Sequence, residues 1–197
     1  MYGSYVEFEE AKLKCSGCEV WSCHKKVIPS DGCKLCPKIM VIGEAPGKDE
    51  IIEGKPFVGK AGQLLRRVLR VNGFDESNTI ISNIIPCRPE NNKFPKNDSI
   101  VRNCFDLWLA VEIGIVKPEY IITLGAQPLK FLLGMKGITK QRGQWVDYRV
   151  DEDHSVKCMP TFHPSYVLRK EHMALGLEIK QAFLDDIKTV AIEAGLK

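Results

Sequence analysis

Apolar residues fall along this chain in two rhythms. Short, nearly unbroken runs occur at Ile39 to Ile42, Thr79 to Ile85, Glu119 to Leu124 and Lys157 to Phe162, and each ends at a glycine, a proline or a polar turn. Runs of this length, apolar on both faces, predict buried strands of a parallel sheet. Elsewhere the apolar positions recur at three- and four-residue steps, which is the signature of a helix with one buried face. Leu64, Leu65, Val68 and Leu69 mark a helix from Ala61 to about Val71, stopped by Asn72-Gly73. Asp98-Ser99 caps a second, with Ile100, Cys104, Leu107 and Val111 on its stripe. A short helix is expected around Pro128 to Leu133, and Ile179, Phe183, Ile187, Val190 and Ala194 mark a closing one. Phe8 to Leu13 carries a brief helical pattern, and the polar stretch Val146 to Val156 reads as an edge hairpin. Strands alternating with helices imply a doubly wound sheet covered on both faces.

The stretch Pro37 to Leu69 organises the rest. Its strand ends in Gly43-Glu44-Ala45-Pro46-Gly47, and its helix follows a polar segment. In such sheets ligands sit beyond the carboxyl ends of the strands, where glycines let the backbone approach them. Neither the Gly-Lys-Ser/Thr of a P-loop nor a G-x-G-x-x-G fingerprint is present, so a plain tight turn is one reading. Glu44 inside the turn and Phe57 in Pro56-Phe57-Val58-Gly59 favour a site, because an aromatic beside a glycine loop offers a stacking platform for a flat base. Asn83 is the polar exception inside its strand, either a structural bracket or a recognition group. His163 leaves the last strand on the side where Glu44 and Asn83 emerge if the strands are parallel, although a lone histidine is more often structural.

The chain has 197 residues, 44% of them hydrophobic, which predicts one folded domain over 1–197 without repeats or low-complexity tracts. No apolar run approaches the ~20 residues of a membrane span, and MYGSYVEFEEAKLK lacks a signal-peptide core, so a cytoplasmic, membrane-free protein is expected. The net charge of +3 excludes a strongly basic nucleic-acid binder. Local clusters at Lys60, Arg66, Arg67 and Arg70, and at Arg169 and Lys170, are solvated faces or phosphate contacts. Eight cysteines in such a chain point to metal rather than disulfides. Cys15-x-x-Cys18 and Cys33-x-x-Cys36 have zinc-ribbon spacing, which leaves Cys87 and Cys104 as bystanders. An iron–sulfur cluster tolerates such distant thiolates and is the rival reading.

Taken in order, GEAPGKDE, GKPFVGKAGQLL, SNIIPCRPENNKFP, the Cys104 helix, ITLGAQPLKFLLG, ITKQRGQW and MPTFHPSYVLR resemble the family 4 uracil-DNA glycosylases from about Lys14 to the C-terminus. The resemblance implies a three-layer α/β/α sandwich with a four-stranded parallel central sheet. It also implies a [4Fe-4S] cluster on Cys15, Cys18, Cys87 and Cys104, tying residues 1–37 to the domain. Cys23, Cys33 and Cys36 are extra to that pattern, and Cys158 has no assigned role. The implied uracil pocket uses Gly43, Phe57 as the stacking ring, Asn83 on the Watson–Crick edge, His163 as donor to uracil O2, and Glu50 as the wall near C5. Glu44 would place the attacking water. After Glu50 this chain has Ile51 where relatives usually carry another acid. Ser165, Leu168 and Arg169 are the expected DNA contacts, with Leu168 as a wedge. The implied substrate is uracil-containing DNA, single- or double-stranded, handled by a monomer. The competing readings are a non-catalytic DNA-binding module on the same fold, a glycosylase of broader specificity, and a zinc-ribbon interaction protein.

Overall fold

All four apolar runs become neighbouring strands at the centre of one sheet in the computed structural model, which describes residues 2–197. The chain enters through α1 (Tyr5–Leu13) and α2 (Glu19–His24) and forms a two-residue strand, β1 (Asp31–Gly32). Then come β2 (Ile39–Gly43), α3 (Lys48–Glu53), α4 (Lys60–Val71) and β3 (Thr79–Asn83). A helical stretch follows as α5 (Asp98–Cys104), a π turn over Phe105–Leu109, and α6 (Ala110–Val116). The remainder is β4 (Tyr120–Leu124), α7 (Ala126–Leu133), α8 (Ile138–Gln141), the hairpin β5 (Val146–Arg149) and β6 (Ser155–Thr161), α9 (Pro164–Lys170) and α10 (Gly176–Glu193).

The sheet has six strands rather than four, in the order β1-β3-β2-β4-β6-β5. Its four middle strands are mutually parallel, while β1 and β5 add antiparallel edges. Asp31–Gly32 is too short and polar to register as an apolar run, and β5 alternates half-buried and exposed residues as an edge strand does. Side chains of the middle strands divide between two cores. Met40, Ile42, Ile80 and Ile121 pack under Phe8, Val101, Phe105 and Ile113, whereas Ile39, Val41, Ile81 and Ile122 pack under Leu65, Val68, Phe183 and Ile187. Helices therefore cover both faces.

Three local expectations are corrected. Asn97, not Asp98, caps α5, its side-chain oxygen accepting from Ser99 N–H at 3.0 Å. The buried stripe there is Val101, Phe105, Leu109 and Ile113, and Leu107 is exposed, because the π turn inserts an extra residue and rotates the face. The second apolar run also leaves the sheet early, at Asn83 instead of Ile85.

The N-terminal segment is fastened along β3. Val27 bridges Cys87, Ile28 N–H donates to Pro86 O at 2.8 Å, Ser30 Oγ donates to Ser82 Oγ at 2.8 Å, and Asp31 lies opposite Ile81. From α1, Lys12 Nζ pairs with Glu112 at 2.9 Å, both side chains almost wholly buried, and Tyr5 donates its hydroxyl to the same carboxylate at 2.7 Å. Burial alone would raise the Glu112 carboxyl, but the Lys12 ammonium and the hydroxyls of Ser30 and Tyr5 hold it below the usual carboxylate range. A buried pair so fully hydrogen-bonded fixes the docking of α1 more than it adds net stability.

Candidate active site

The strand register delivers four chain segments to one rim. Gly43 lies opposite Asn83, and Leu124 opposite Thr161, so β2, β3, β4 and β6 end together. Beyond them opens a cleft of about 700 Å³, lined by Glu44, Glu50, Phe57, Asn83, Gly125, His163, Ser165 and Arg169 among others. Lys48 and Lys60 add two further cations to its wall.

Gly43 is required to be glycine by what presses on it. A Cβ there would lie 2.4 Å from Phe57 Cζ and 2.5 Å from Asn83 Oδ1. Ring edge and amide oxygen thus converge on one α-carbon. Asn83 is 7% exposed, and its Oδ1 has no hydrogen-bond partner among the described residues. A buried acceptor left unpaired costs about 1–3 kcal/mol, which a ligand donor recovers.

Phe57 is buried and adopts φ +55°, the only aromatic with a left-handed backbone among the described residues. Such a conformation costs on the order of 1–3 kcal/mol and persists where surroundings enforce it. Glu50 does part of the enforcing. Its Oε1 accepts from Val58 N–H at 2.9 Å and Gly59 N–H at 3.0 Å, and its Oε2 accepts from Gly47 N–H at 3.0 Å. The residue expected as a pocket wall lines the cleft, yet its carboxylate is committed to bracing the two loops.

His163 stands 6.0 Å from Phe57, ring centroid to ring centroid, at an interplanar angle of 35°. It caps α9 by accepting the Ser165 backbone N–H at Nδ1, 3.2 Å away, with Ser165 Oγ at 2.8 Å from the same nitrogen. A nitrogen that accepts a main-chain proton carries a lone pair, so the ring proton resides on Nε2. Arg169 donates to Ser165 Oγ at 3.1 Å, completing a chain from guanidinium to hydroxyl to imidazole. Burial, then the nearby Arg169 charge, lowers the His163 pKa to about 4, with Glu50 opposing. The imidazole is therefore neutral at ordinary pH and offers one N–H. Burial raises the Glu44 carboxyl above its ordinary range, with Arg169 opposing.

Glu44, Glu50, Phe57, Asn83, His163, Ser165 and Arg169 are thus brought together, and Gly43 lies against the Phe57 ring and the Asn83 amide without itself lining the cleft. Leu168 is half-buried on α9 and does not line the cleft. Ala126, Ile138, Thr139 and Tyr166 line it without having been assigned a role from sequence, while Pro46 belongs to the glycine turn and Gly125 ends the third predicted strand. Arg66, read with its cluster as a solvated face or a phosphate contact, is instead turned inward onto main-chain carbonyls.

On the far side of β3, four thiols from three segments gather. Cys15 and Cys18 lie between α1 and α2, Cys87 follows β3, and Cys104 ends α5. Burial pushes the Cys87 and Cys104 thiols up to about 12; Cys104, Cys18 and Cys15 raise Cys87 further, and Cys18 and Cys15 raise Cys104, against the lowering influence of Lys12. All four pack in or against the same core cluster, on the face of the sheet covered by α1 and α5. Among the described residues no three His, Cys, Asp or Glu side chains close around a single metal ion. Cys23 and Cys36 are exposed, Cys33 is half-buried, and Cys158 is buried in β6.

Comparison with known proteins gives a consistent result. A family model described as the uracil DNA glycosylase superfamily matches residues 29–188. The chain is similar to a type-4 uracil-DNA glycosylase of Thermotoga maritima, 36% identical over 91% of this chain and 88% of the relative. It is likewise similar to type-4 uracil-DNA glycosylases of Saccharolobus solfataricus, 37% identical over 79% and 73% of the two chains, and of Sulfurisphaera tokodaii, 33% identical over 89% and 80%.

Proposed function

This chain belongs to the uracil DNA glycosylase superfamily, with type-4 enzymes among its relatives, and we propose that it hydrolyses the N-glycosidic bond of deoxyuridine in DNA, releasing uracil and leaving an abasic site. The observation that carries this reading is the buried, unpartnered Asn83 Oδ1 beside the Phe57 ring at the end of β2. A base inside a duplex hides its glycosidic bond, so the nucleotide must be everted at a cost of a few kcal/mol. Stacking on Phe57 returns about 1–3 kcal/mol without regard to which base arrives. Asn83 supplies the regard: its oxygen accepts from uracil N3–H and its amide N–H donates to O4, whereas cytosine presents the reverse pattern. Glu50 holds the loop that closes on the C5 side.

Bond cleavage places negative charge on the departing uracil and positive charge on the sugar. His163 Nε2–H is set to donate to O2 as that charge grows, since the neutral ring keeps its one proton on that nitrogen. Glu44, once ionised, orients water and favours the cationic sugar. Its burial-raised pKa predicts that kcat/KM falls on the acidic side at a pH above the ordinary carboxylate range. In Glu44→Gln a pH–rate series is expected to be lower throughout and to lack that limb; retention of the limb would assign it to another group. Arg169, Ser165, Lys48 and Lys60 at the rim meet DNA phosphates, which position the strand and make binding weaken with salt.

The four gathered thiols suit a [4Fe-4S] cluster held by Cys15, Cys18, Cys87 and Cys104. When bound, the cluster supplies a cross-link between the N-terminal segment, the loop after β3 and the end of α5. Anaerobically purified protein is expected to be brown, and Cys104→Ser to lose both colour and about 2–5 kcal/mol of stability, as for loss of another covalent cross-link. Colourless wild-type protein with stoichiometric zinc would overturn the cluster.

The proposed function itself is tested by incubating the protein with uracil-containing single- and double-stranded oligonucleotides and then with alkali. Strand breaks at uracil are expected. Retention of DNA without breaks would make the chain a non-catalytic binding module.

A further inference from the structure

Phe57 is gripped from behind as well as from the cleft. On the side of α4 away from the base, Arg66 Nε donates to Phe57 O at 2.9 Å, and its Nη2 donates to Pro56 O at 2.8 Å and to Asp31 Oδ2 at 2.6 Å. Lys55 Nζ lies 3.8 Å from the other Asp31 oxygen. Glu50 takes the N–H groups of Val58 and Gly59, so the main chain is fixed on both sides of the ring. At Gly62, in the first turn of α4, a Cβ would come within 2.1 Å of the Phe57 carbonyl carbon, so the helix backbone is jammed against the loop. Neither Arg66 nor Asp31 lines the cleft.

We propose that Asp31 and Arg66 form a positioning pair that holds Phe57 in its left-handed, base-stacking conformation, and that through Asp31 the N-terminal segment acts as the strut of the uracil pocket. The inference rests on the proposed function. Its path is contiguous: Val27, Ile28, Ser30 and Asp31 are pinned to Cys87, Pro86, Ser82 and Ile81 in turn, and Asp31 then orients the guanidinium that draws in the carbonyls of Pro56 and Phe57. A lone guanidinium would hold those carbonyls in several geometries. Opposed by a carboxylate on a strand, it has one.

If the pair sets the fraction of molecules whose ring is placed for stacking, apparent affinity for the base falls in proportion to that fraction. Arg66→Gln is therefore expected to weaken binding of free uracil by calorimetry about 10-fold and to lower single-turnover kcat/KM by a similar factor. Affinity for a duplex carrying a tetrahydrofuran abasic site, which presents no base, stays within about twofold of wild type on the same ground. Asp31→Asn, which leaves Arg66 in place, moves the same two quantities in the same direction but less, and carries the test alone if Arg66→Gln unfolds. The double variant is expected to be no worse than Arg66→Gln, since Asp31 acts through Arg66. Uracil affinity unchanged in both single variants, abasic-site binding falling in step with it, or losses that multiply in the double variant would each overturn the pair. Wild-type protein that binds uracil yet breaks no uracil-containing strand would overturn the proposed function, and uracil affinity alone would then judge the clamp.

Discussion

Asn83→Asp is expected to collapse the preference for uracil over cytosine by about four decades, the scale on which sites built around one hydrogen-bond pattern reject its complement. The native amide offers an acceptor and a donor in fixed order, and its Oδ1 is buried with no donor to accept from among the described residues. An aspartate keeps the acceptor and loses the donor. Uracil O4 then faces a carboxylate oxygen, while the cytosine amino group gains a partner. Uracil cleavage should fall and cytosine cleavage appear, both measured on oligonucleotides with a single target base after alkali. Equal discrimination in the variant would mean that Asn83 is a structural bracket.

His163→Ala is expected to cost two to three decades of single-turnover rate, about 3–4 kcal/mol, as for loss of one preorganised donor at a developing anion. Substrate binding should change far less, because the donor is needed chiefly when the uracil carries charge. The variant has a second readout. Folded His163 has its pKa lowered to about 4 from 6.5, so the unfolded chain binds the proton more readily. Stability owed to the neutral ring is complete above pH 6.5 and is lost as pH falls towards 4. Wild type should therefore lose stability relative to His163→Ala across that window. Near-normal rates in the variant would remove the imidazole from the chemistry, and parallel stability profiles would contradict its being held neutral.

The middle of the fold was legible because its strands are buried on both faces, and a run such as Ile39–Ile42 has no other reading. The chemistry at their ends was legible for a related reason: Glu44, Asn83 and His163 are polar interruptions at, or just past, apolar runs. Legibility failed where the cause is three-dimensional. Asp31–Gly32 becomes a strand only because β3 has a free edge for it. Arg66 looks like any helix-surface arginine until the folded loop brings two carbonyls and Asp31 to it. Glu50 sits in the right motif, but nothing in the motif says that three backbone N–H groups consume its carboxylate. Spacing likewise left zinc and an iron–sulfur cluster equally open for Cys15 and Cys18, and the choice turns on Cys87 and Cys104, which sequence places 69 positions or more from the pair and the fold packs on the same core cluster.

The account depends on one base being held at one rim by side chains from three strand ends and the Phe57 loop, and a crystal structure of the protein with free uracil tests it most directly. Uracil is expected flat against Phe57, its N3–H on Asn83 Oδ1 and its O2 facing His163 Nε2. Uracil seated elsewhere, or in the cleft with Asn83 Oδ1 still unpaired, would contradict it.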